Sequence, residues 1–89
     1  MPSVILIGDI GTGHDSHKPT KVISGSGTVK ADDKAIARLG DSLESHGNHS
    51  RTIVSSSASV FVDGKPAARN GDKINCGGVL TGKSTVRVG

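Results

Sequence analysis

The chain has 89 residues, of which 33% are hydrophobic and 1% are aromatic, and 13 are glycines. A chain this short accommodates one domain with a sparse core, and its single cysteine, Cys76, excludes an internal disulfide. The net charge of +3 is not accompanied by an aromatic platform or a basic helix, so we expect no nucleic-acid partner.

The N-terminal segment contains a short apolar run. Val4-Ile5-Leu6-Ile7 is followed at once by Gly8-Asp9, and no basic region precedes it. This pattern fits neither a secretory signal peptide nor a membrane span. We therefore expect assembly in the cytoplasm and no export by a signal-peptide route.

The rest of the chain repeats itself. Gly-Asp pairs occur at 8–9, 40–41 and 71–72, and nine of the twenty positions in 22–41 are identical at an offset of 31 residues. Residues 79–89 resemble a shorter third copy, and the opening apolar run resembles the end of one. We interpret residues 1–89 as a single domain of three copies with no further domain attached.

The pattern within each copy is typical of β-strands. Residues such as Ser59-Val60-Phe61-Val62 alternate, and Asp63-Gly64 after them predicts a tight hairpin. Asp32-Asp33 fills the same place in the first copy with weaker turn chemistry. Residues 33–46 also show helical spacing, but Gly64 and Pro66 stand where the equivalent helix would start, so we predict an all-β fold.

The Gly-Asp pairs are predicted to be turns. Glycine permits a positive φ, and aspartate can accept hydrogen bonds from nearby amides. Arg38 and Arg69 stand two residues before two of the pairs, which predicts surface or packing charges that can form a salt bridge with the neighbouring aspartate.

The loops after the Gly-Asp pairs contain every candidate metal ligand. His14 and His17 lie in the first loop, His46 and His49 in the second, and Cys76 in the third. Copies arranged around a threefold axis would bring these loops together, and three imidazoles with one thiolate suit tetrahedral Zn2+. We predict one structural zinc ion held by His14, His46, His49 and Cys76, with His17 as the alternative to one of them. Four protein ligands leave no position for a reactive water, so we predict no catalytic residues.

The second copy carries a recognisable signature. Val62-Asp63-Gly64-Lys65, Pro66-Ala67-Ala68-Arg69 and Asn70-Gly71-Asp72 follow one another, and together they resemble the signature of PAAR-repeat proteins. The first copy has the degenerate form Ala35-Ile36-Ala37-Arg38. The resemblance implies a small cone-shaped, pseudo-threefold β-repeat with a zinc site near the apex, and the matching ligand positions are again the four residues named above.

The resemblance also implies a mechanical function and not an enzyme. The expected role is a structural tip, bound as a monomer, that caps and sharpens the trimeric VgrG-type β-helical spike of a type VI secretion system. Such a tip aids membrane puncture of the target cell envelope and effector delivery. It would be assembled in the cytoplasm and then secreted or injected by the machine, with effectors supplied by other chains.

Three alternatives share parts of this pattern. The same tip could belong to the spike of a phage tail. A small zinc-dependent hydrolase would require one ligand to be replaced by water. A non-secretory adhesive or scaffold repeat would lack a trimeric spike partner.

Overall fold

Short antiparallel strands provide the regular structure of the chain. The computed structural model describes residues 1–13, 17–47 and 49–89, except for the side chain of His49. The strands are β1 (Ile10–Gly11), β2 (Thr20–Lys21), β3 (Lys30–Ala31), β4 (Lys34–Ala35), β5 (Ser42–His46), β6 (His49–Thr52), β7 (Phe61–Val62), β8 (Lys65–Pro66) and β9 (Leu80–Thr81). They form one three-stranded sheet in the order β2-β1-β9 and three hairpins, β3-β4, β5-β6 and β7-β8. In the described ranges no helix is long and apolar enough to span a membrane.

Three turns of the same design lie at the Gly-Asp pairs. In each, the aspartate amide donates to the carbonyl three residues earlier, at 3.0 Å, in the pairs Asp9 to Leu6, Asp41 to Arg38 and Asp72 to Arg69. The aspartate carboxylate accepts a hydrogen bond back from the amide of that earlier residue, at 2.8, 2.7 and 2.7 Å. The glycines have φ values of 93°, 89° and 90°, as the third position of a type II turn requires. Each copy therefore reverses the chain with one local motif.

A closed ring of backbone hydrogen bonds joins the three copies. The amide of Ala37 donates to the carbonyl of Ile5 at 2.8 Å, Ile5 donates to Ala68 at 3.0 Å, and Ala68 donates to Ala37 at 3.0 Å. All three residues have 0% exposure. Because each member donates to one neighbour and accepts from the other, the ring has the connectivity of a threefold axis. The all-β, pseudo-threefold fold predicted from the sequence is confirmed.

The third repeat unit is built from both ends of the chain. The amide of Val4 donates to the carbonyl of Val86 at 2.9 Å, and the amide of Val88 donates to Pro2 at 3.0 Å. The other two units make the equivalent bond within one segment, from Ile36 to Val29 at 3.2 Å and from Ala67 to Val60 at 2.9 Å. The first and last residues together therefore complete the symmetry.

The two predicted hairpin turns have left-handed backbones. Asp32 and Asp33 join β3 to β4 with φ values of 51° and 63°, and Asp63 and Gly64 join β7 to β8 with 55° and 78°. Two consecutive positive φ values are those of a type I′ turn, which suits the twist of a two-stranded ribbon. Within residues 33–46, strands β4 and β5 occupy the segment that also shows helical spacing.

Two hydrophobic clusters fill the interior of the described structure. One contains Ile5, Val22, Ala37, Leu43, Ile53, Ala68, Ile74 and Leu80. The other contains Val4, Leu6, Ala31, Ile36, Val62, Ala67 and Val88. In the first cluster Leu43 and Ile74 follow their Gly-Asp pairs by two residues, and the third equivalent position is Gly11. A Cβ atom on Gly11 would lie 2.4 Å from Leu43 and 2.5 Å from Ile74, so two large side chains fill the space of three.

Candidate metal centre

Two of the four predicted ligand side chains, His46 and Cys76, lie within the described residues. His46 ends β5, His49 begins β6, and Cys76 lies in the loop before β9 and packs against the first cluster. His14 and the side chain of His49 lie outside the described residues. The structure therefore places two of the four predicted side chains, His46 and Cys76, and the full set stays a prediction.

His46 is held in one orientation by a neighbouring segment. The residue is 3% exposed, and its Nδ1 atom lies 2.8 Å from the carbonyl oxygen of Lys18. Because a carbonyl oxygen can only accept a hydrogen bond, Nδ1 carries a proton, and in a neutral imidazole Nε2 is then the nitrogen that can bind a metal ion. A backbone carbonyl on the remote ring nitrogen is the usual support of a metal-binding histidine.

The separation of His46 and Cys76 fits a shared metal ion. The Nε2 atom of His46 lies 3.6 Å from the Sγ atom of Cys76. Zinc binds nitrogen at about 2.0–2.1 Å and sulfur at about 2.3 Å, and a tetrahedral angle between them places the two ligand atoms about 3.6 Å apart. Both the donor types and their spacing therefore match one edge of a zinc tetrahedron.

His17 lies against the same site. Its ring stacks on the ring of His46 with centroids 4.7 Å apart and an interplanar angle of 28°. Gly47, with φ of 59°, passes so close that a Cβ there would lie 3.0 Å from Cε1 of His17. The ring of His17 thus packs between the tip of the β5-β6 hairpin and the predicted ligand His46. His17 stays the alternative ligand, and its ring stacks on that of His46.

The described side chains do not complete a metal site by themselves. Among residues 1–13, 17–47 and 49–89, without the side chain of His49, no three His, Cys, Asp or Glu side chains are grouped to hold a metal ion. His46 and Cys76 are two of the four predicted ligands. The other two, His14 and the side chain of His49, lie outside the described residues.

Two arginines pair with the Gly-Asp carboxylates. Arg38 contacts Asp41 at 2.9 Å, and Arg69 contacts Asp72 at 2.9 Å. Burial acts to raise the pKa of Asp41, but the hydrogen bonds from the side chain and amide of Arg38 outweigh it and lower the pKa. Asp72 likewise accepts both the side chain and the amide of Arg69. These carboxylates serve the turns, as predicted from their repeat spacing.

Sequence reasoning missed a buried arginine beside the centre. Arg51 is 1% exposed, and its guanidinium donates to backbone carbonyls in the segments that precede His14 and follow Cys76. A signal for it existed, because Arg51 stands two residues before the buried Ile53 and so shares its side of an extended chain.

Comparison with known families identifies the repeat. The sequence model of the family described as PAAR motif matches residues 12–82, which is most of the 89-residue chain. No curated protein matches the chain. The matched range includes the second and third Gly-Asp turns and all four predicted metal ligands.

Proposed function

The chain belongs to the PAAR motif family, and on that premise we propose that it caps the trimeric VgrG-type spike of a type VI secretion system. Members of this family are structural proteins associated with the tips of such spikes. The proposed role is mechanical: the protein sharpens the spike, so that the contracting machine punctures a target envelope and delivers effectors. Assembly in the cytoplasm followed by delivery through the machine is part of this proposal.

The closed ring of Ile5, Ala37 and Ala68 is the observation that carries the proposal. A monomer normally presents one asymmetric surface, which cannot make equivalent contacts with three identical subunits. A chain whose three units are related by a central ring of hydrogen bonds presents three similar surfaces instead. One copy can therefore match all three subunits of a trimer at once.

Three valines at equivalent positions supply a candidate docking face. The carbonyl oxygens of Val29, Val60 and Val86 accept equivalent backbone hydrogen bonds, from the amides of Ile36, Ala67 and Val4 respectively. The side chains of all three valines are partly exposed, that of Val29 to 37% and that of Val86 to 39%. Val60 packs against the second hydrophobic cluster, whereas Cys76 packs against the first. We therefore assign the valines to the base that meets the spike and the candidate metal centre to the opposite end.

The metal is assigned a structural role. Metal binding is a general property of PAAR motif proteins, and the spacing of His46 and Cys76 supports a zinc ion here. His14, His46, His49 and Cys76 would hold it, and the ion would join the three loops that carry these residues. Four protein ligands leave no coordination position for a reactive water, which distinguishes this centre from that of a zinc hydrolase.

Docking to a spike tests the proposal directly. The purified chain is mixed with a trimeric β-helical spike protein, and the complex is analysed by native mass spectrometry. We expect one copy per trimer. Val60→Glu should weaken the complex at least tenfold, because it buries a charge in an apolar contact. Val54→Glu is the matched control, since Val54 is 51% exposed and lies outside the proposed base.

Two results would contradict this function. One is the absence of any complex between the folded, metal-loaded chain and the spike. The other is an equal loss of binding in Val54→Glu and Val60→Glu, which would place the contact elsewhere. The same experiment with the spike of a contractile phage tail addresses the alternative machine.

A further inference from the structure

The largest fully buried side chain of the described residues belongs to an arginine. Arg51 lies on β6 and has 1% exposure. Its Nη1 atom donates to Thr20 Oγ1 at 2.9 Å and to the carbonyl of Gly11 at 3.3 Å. Its Nη2 atom donates to the carbonyl of Gly77 at 3.2 Å and also to the carbonyl of Thr12. Arg51 lies in the segment that follows Gly40-Asp41, whereas its acceptors lie in the segments that follow the other two Gly-Asp pairs.

Among the described residues the buried guanidinium has no counter-charge. No carboxylate of the described residues forms a salt bridge with Arg51, and its Nε atom has no hydrogen-bond partner among them. Burying a charge without an ionic partner is unfavourable unless oriented dipoles compensate for the lost water. Here three carbonyl groups and one hydroxyl supply that compensation.

The acceptors of Arg51 flank the predicted metal ligands. Gly11 and Thr12 lie shortly before His14, and Gly77 directly follows Cys76, while Arg51 itself lies two residues after His49. The planar guanidinium has five donors in a fixed geometry, so it can hold several carbonyls at set distances. One side chain thereby links the ligand-bearing segments of all three repeat units.

The segment that follows Cys76 leaves room for the side chain of Arg51. Gly78 has φ of 94°, and a Cβ there would lie 2.2 Å from the carbonyl oxygen of Thr12 and 3.0 Å from Nη2 of Arg51. Thr20, Arg51 and Gly78 occupy equivalent positions, each two residues before a buried Val22, Ile53 or Leu80. The small residues at two of these positions leave the space that the arginine fills.

We propose that Arg51 is a positioning residue for the metal centre. It holds the segments around His14, His49 and Cys76 at fixed separations, so that the ion meets ligands that are already in place. The inference rests on the proposed zinc site. Removing support of this kind typically weakens metal affinity about 10- to 100-fold. We expect a loss of this size in Arg51→Met, which keeps much of the apolar stem but has no donors.

The experiment measures zinc affinity by competition with a chromophoric chelator and records the absorption spectrum of the Co2+-substituted protein. The variants are Arg51→Met, Arg51→Lys and Thr20→Val, which removes one acceptor and leaves the arginine. The matched control is Arg87→Met, because Arg87 is exposed and its side chain donates to the carbonyl of Met1. We expect affinity to fall in the order wild type, Thr20→Val, Arg51→Lys, Arg51→Met, with an altered Co2+ spectrum in Arg51→Met and no change in Arg87→Met.

The outcomes separate this inference from the proposed function. If the wild-type chain binds no stoichiometric zinc, the proposed metal centre fails, and the positioning role fails with it. If the wild type binds zinc but Arg51→Met has the same affinity and spectrum, only the positioning role is overturned. Arg51 variants that stay unfolded at saturating zinc also overturn it, because the arginine would then serve the whole fold and not the centre.

Discussion

Asp33 stands where its repeat partner has Gly64, and the two residues share one backbone conformation. Each is the second residue of a two-residue turn. The first turn connects the paired residues Ala31 and Lys34, and the second connects the paired residues Val62 and Lys65. Their φ values are 63° and 78°. A Cβ atom makes this left-handed region less favourable, so the first hairpin carries strain that the second avoids.

Replacing Asp33 with glycine should stabilise the protein. We expect Asp33→Gly to raise the free energy of unfolding by about 0.5–1 kcal/mol, because relief of strain exceeds the added freedom of the unfolded chain. Urea unfolding measures the change. The reverse variant, Gly64→Asp, is the control and should lower stability by a similar amount. A loss of stability in Asp33→Gly would show that the carboxylate of Asp33 makes a stabilising contact.

The three Gly-Asp turns should respond alike to an added methyl group. Gly8, Gly40 and Gly71 have φ near 90°, and a Cβ on any of them would meet no atom within 4 Å. Changing each to alanine should therefore cost about 1–2 kcal/mol through backbone conformation alone. Gly27→Ala is the matched control, because it also has open space but no positive φ, and it should be close to neutral.

Unequal losses would contradict the equivalence of the three turns. In particular, a neutral Gly8→Ala beside two costly variants would separate the first turn from the others. The comparison uses chemical unfolding at one saturating zinc concentration for all variants, so that each is measured as the metal-loaded protein.

Much of this architecture was visible in the sequence because it depends on local chemistry. A positive φ needs glycine, and an aspartate after it can bond back to the turn, so Gly40-Asp41 and Gly71-Asp72 predicted their own geometry. The tight hairpin at Asp63-Gly64, which the structure shows to be a type I′ turn, was predicted on the same grounds. Because the first copy aligns with the second, the same turn was predicted for Asp32-Asp33, whose residues alone are less typical of a hairpin turn.

The contacts between copies could not be predicted in the same way. The ring of Ile5, Ala37 and Ala68 depends on the register of backbone atoms, and two alanines give no sequence signal for it. Arg51 was missed for the opposite reason: alternation with Ile53 places it inside, but a charged residue is normally expected outside. Its burial makes sense once the carbonyls of Thr12 and Gly77, which lie outside the strands, are seen to accept hydrogen bonds from its Nη2 atom.

Acid should weaken the first copy of the repeat through Asp41. Arg38 keeps the pKa of Asp41 below its ordinary value of 3.8, although burial acts in the opposite direction. Because the folded-state pKa is the lower one, this contribution to stability is complete above the unfolded-state value. It is lost as the pH falls from about 4 through the folded-state pKa.

The variant Asp41→Asn tests this dependence. Its free energy of unfolding should lie below that of the wild type at pH 6 and approach the wild-type value as the pH falls below about 4. Denaturant unfolding at fixed ionic strength between pH 6 and pH 2.5 provides the measurement. A constant difference between the two proteins over the whole range would mean that the ionisation of Asp41 does not stabilise the fold.

Removal of the metal should have the largest effect of all. We expect one zinc ion per chain by elemental analysis, and chelation should lower the melting temperature steeply, since structural zinc can contribute about 10 kcal/mol to folding. Cys76→Ala and His46→Ala should lose the ion, because the Sγ atom of Cys76 and the Nε2 atom of His46 lie 3.6 Å apart, at the spacing of a zinc tetrahedron.

His17→Ala is the matched control: it removes the ring stacked on His46 at 4.7 Å but should retain the ion. If His17→Ala loses zinc while His14→Ala keeps it, the ligand role belongs to His17. A folded Cys76→Ala protein with full zinc content would contradict the predicted centre.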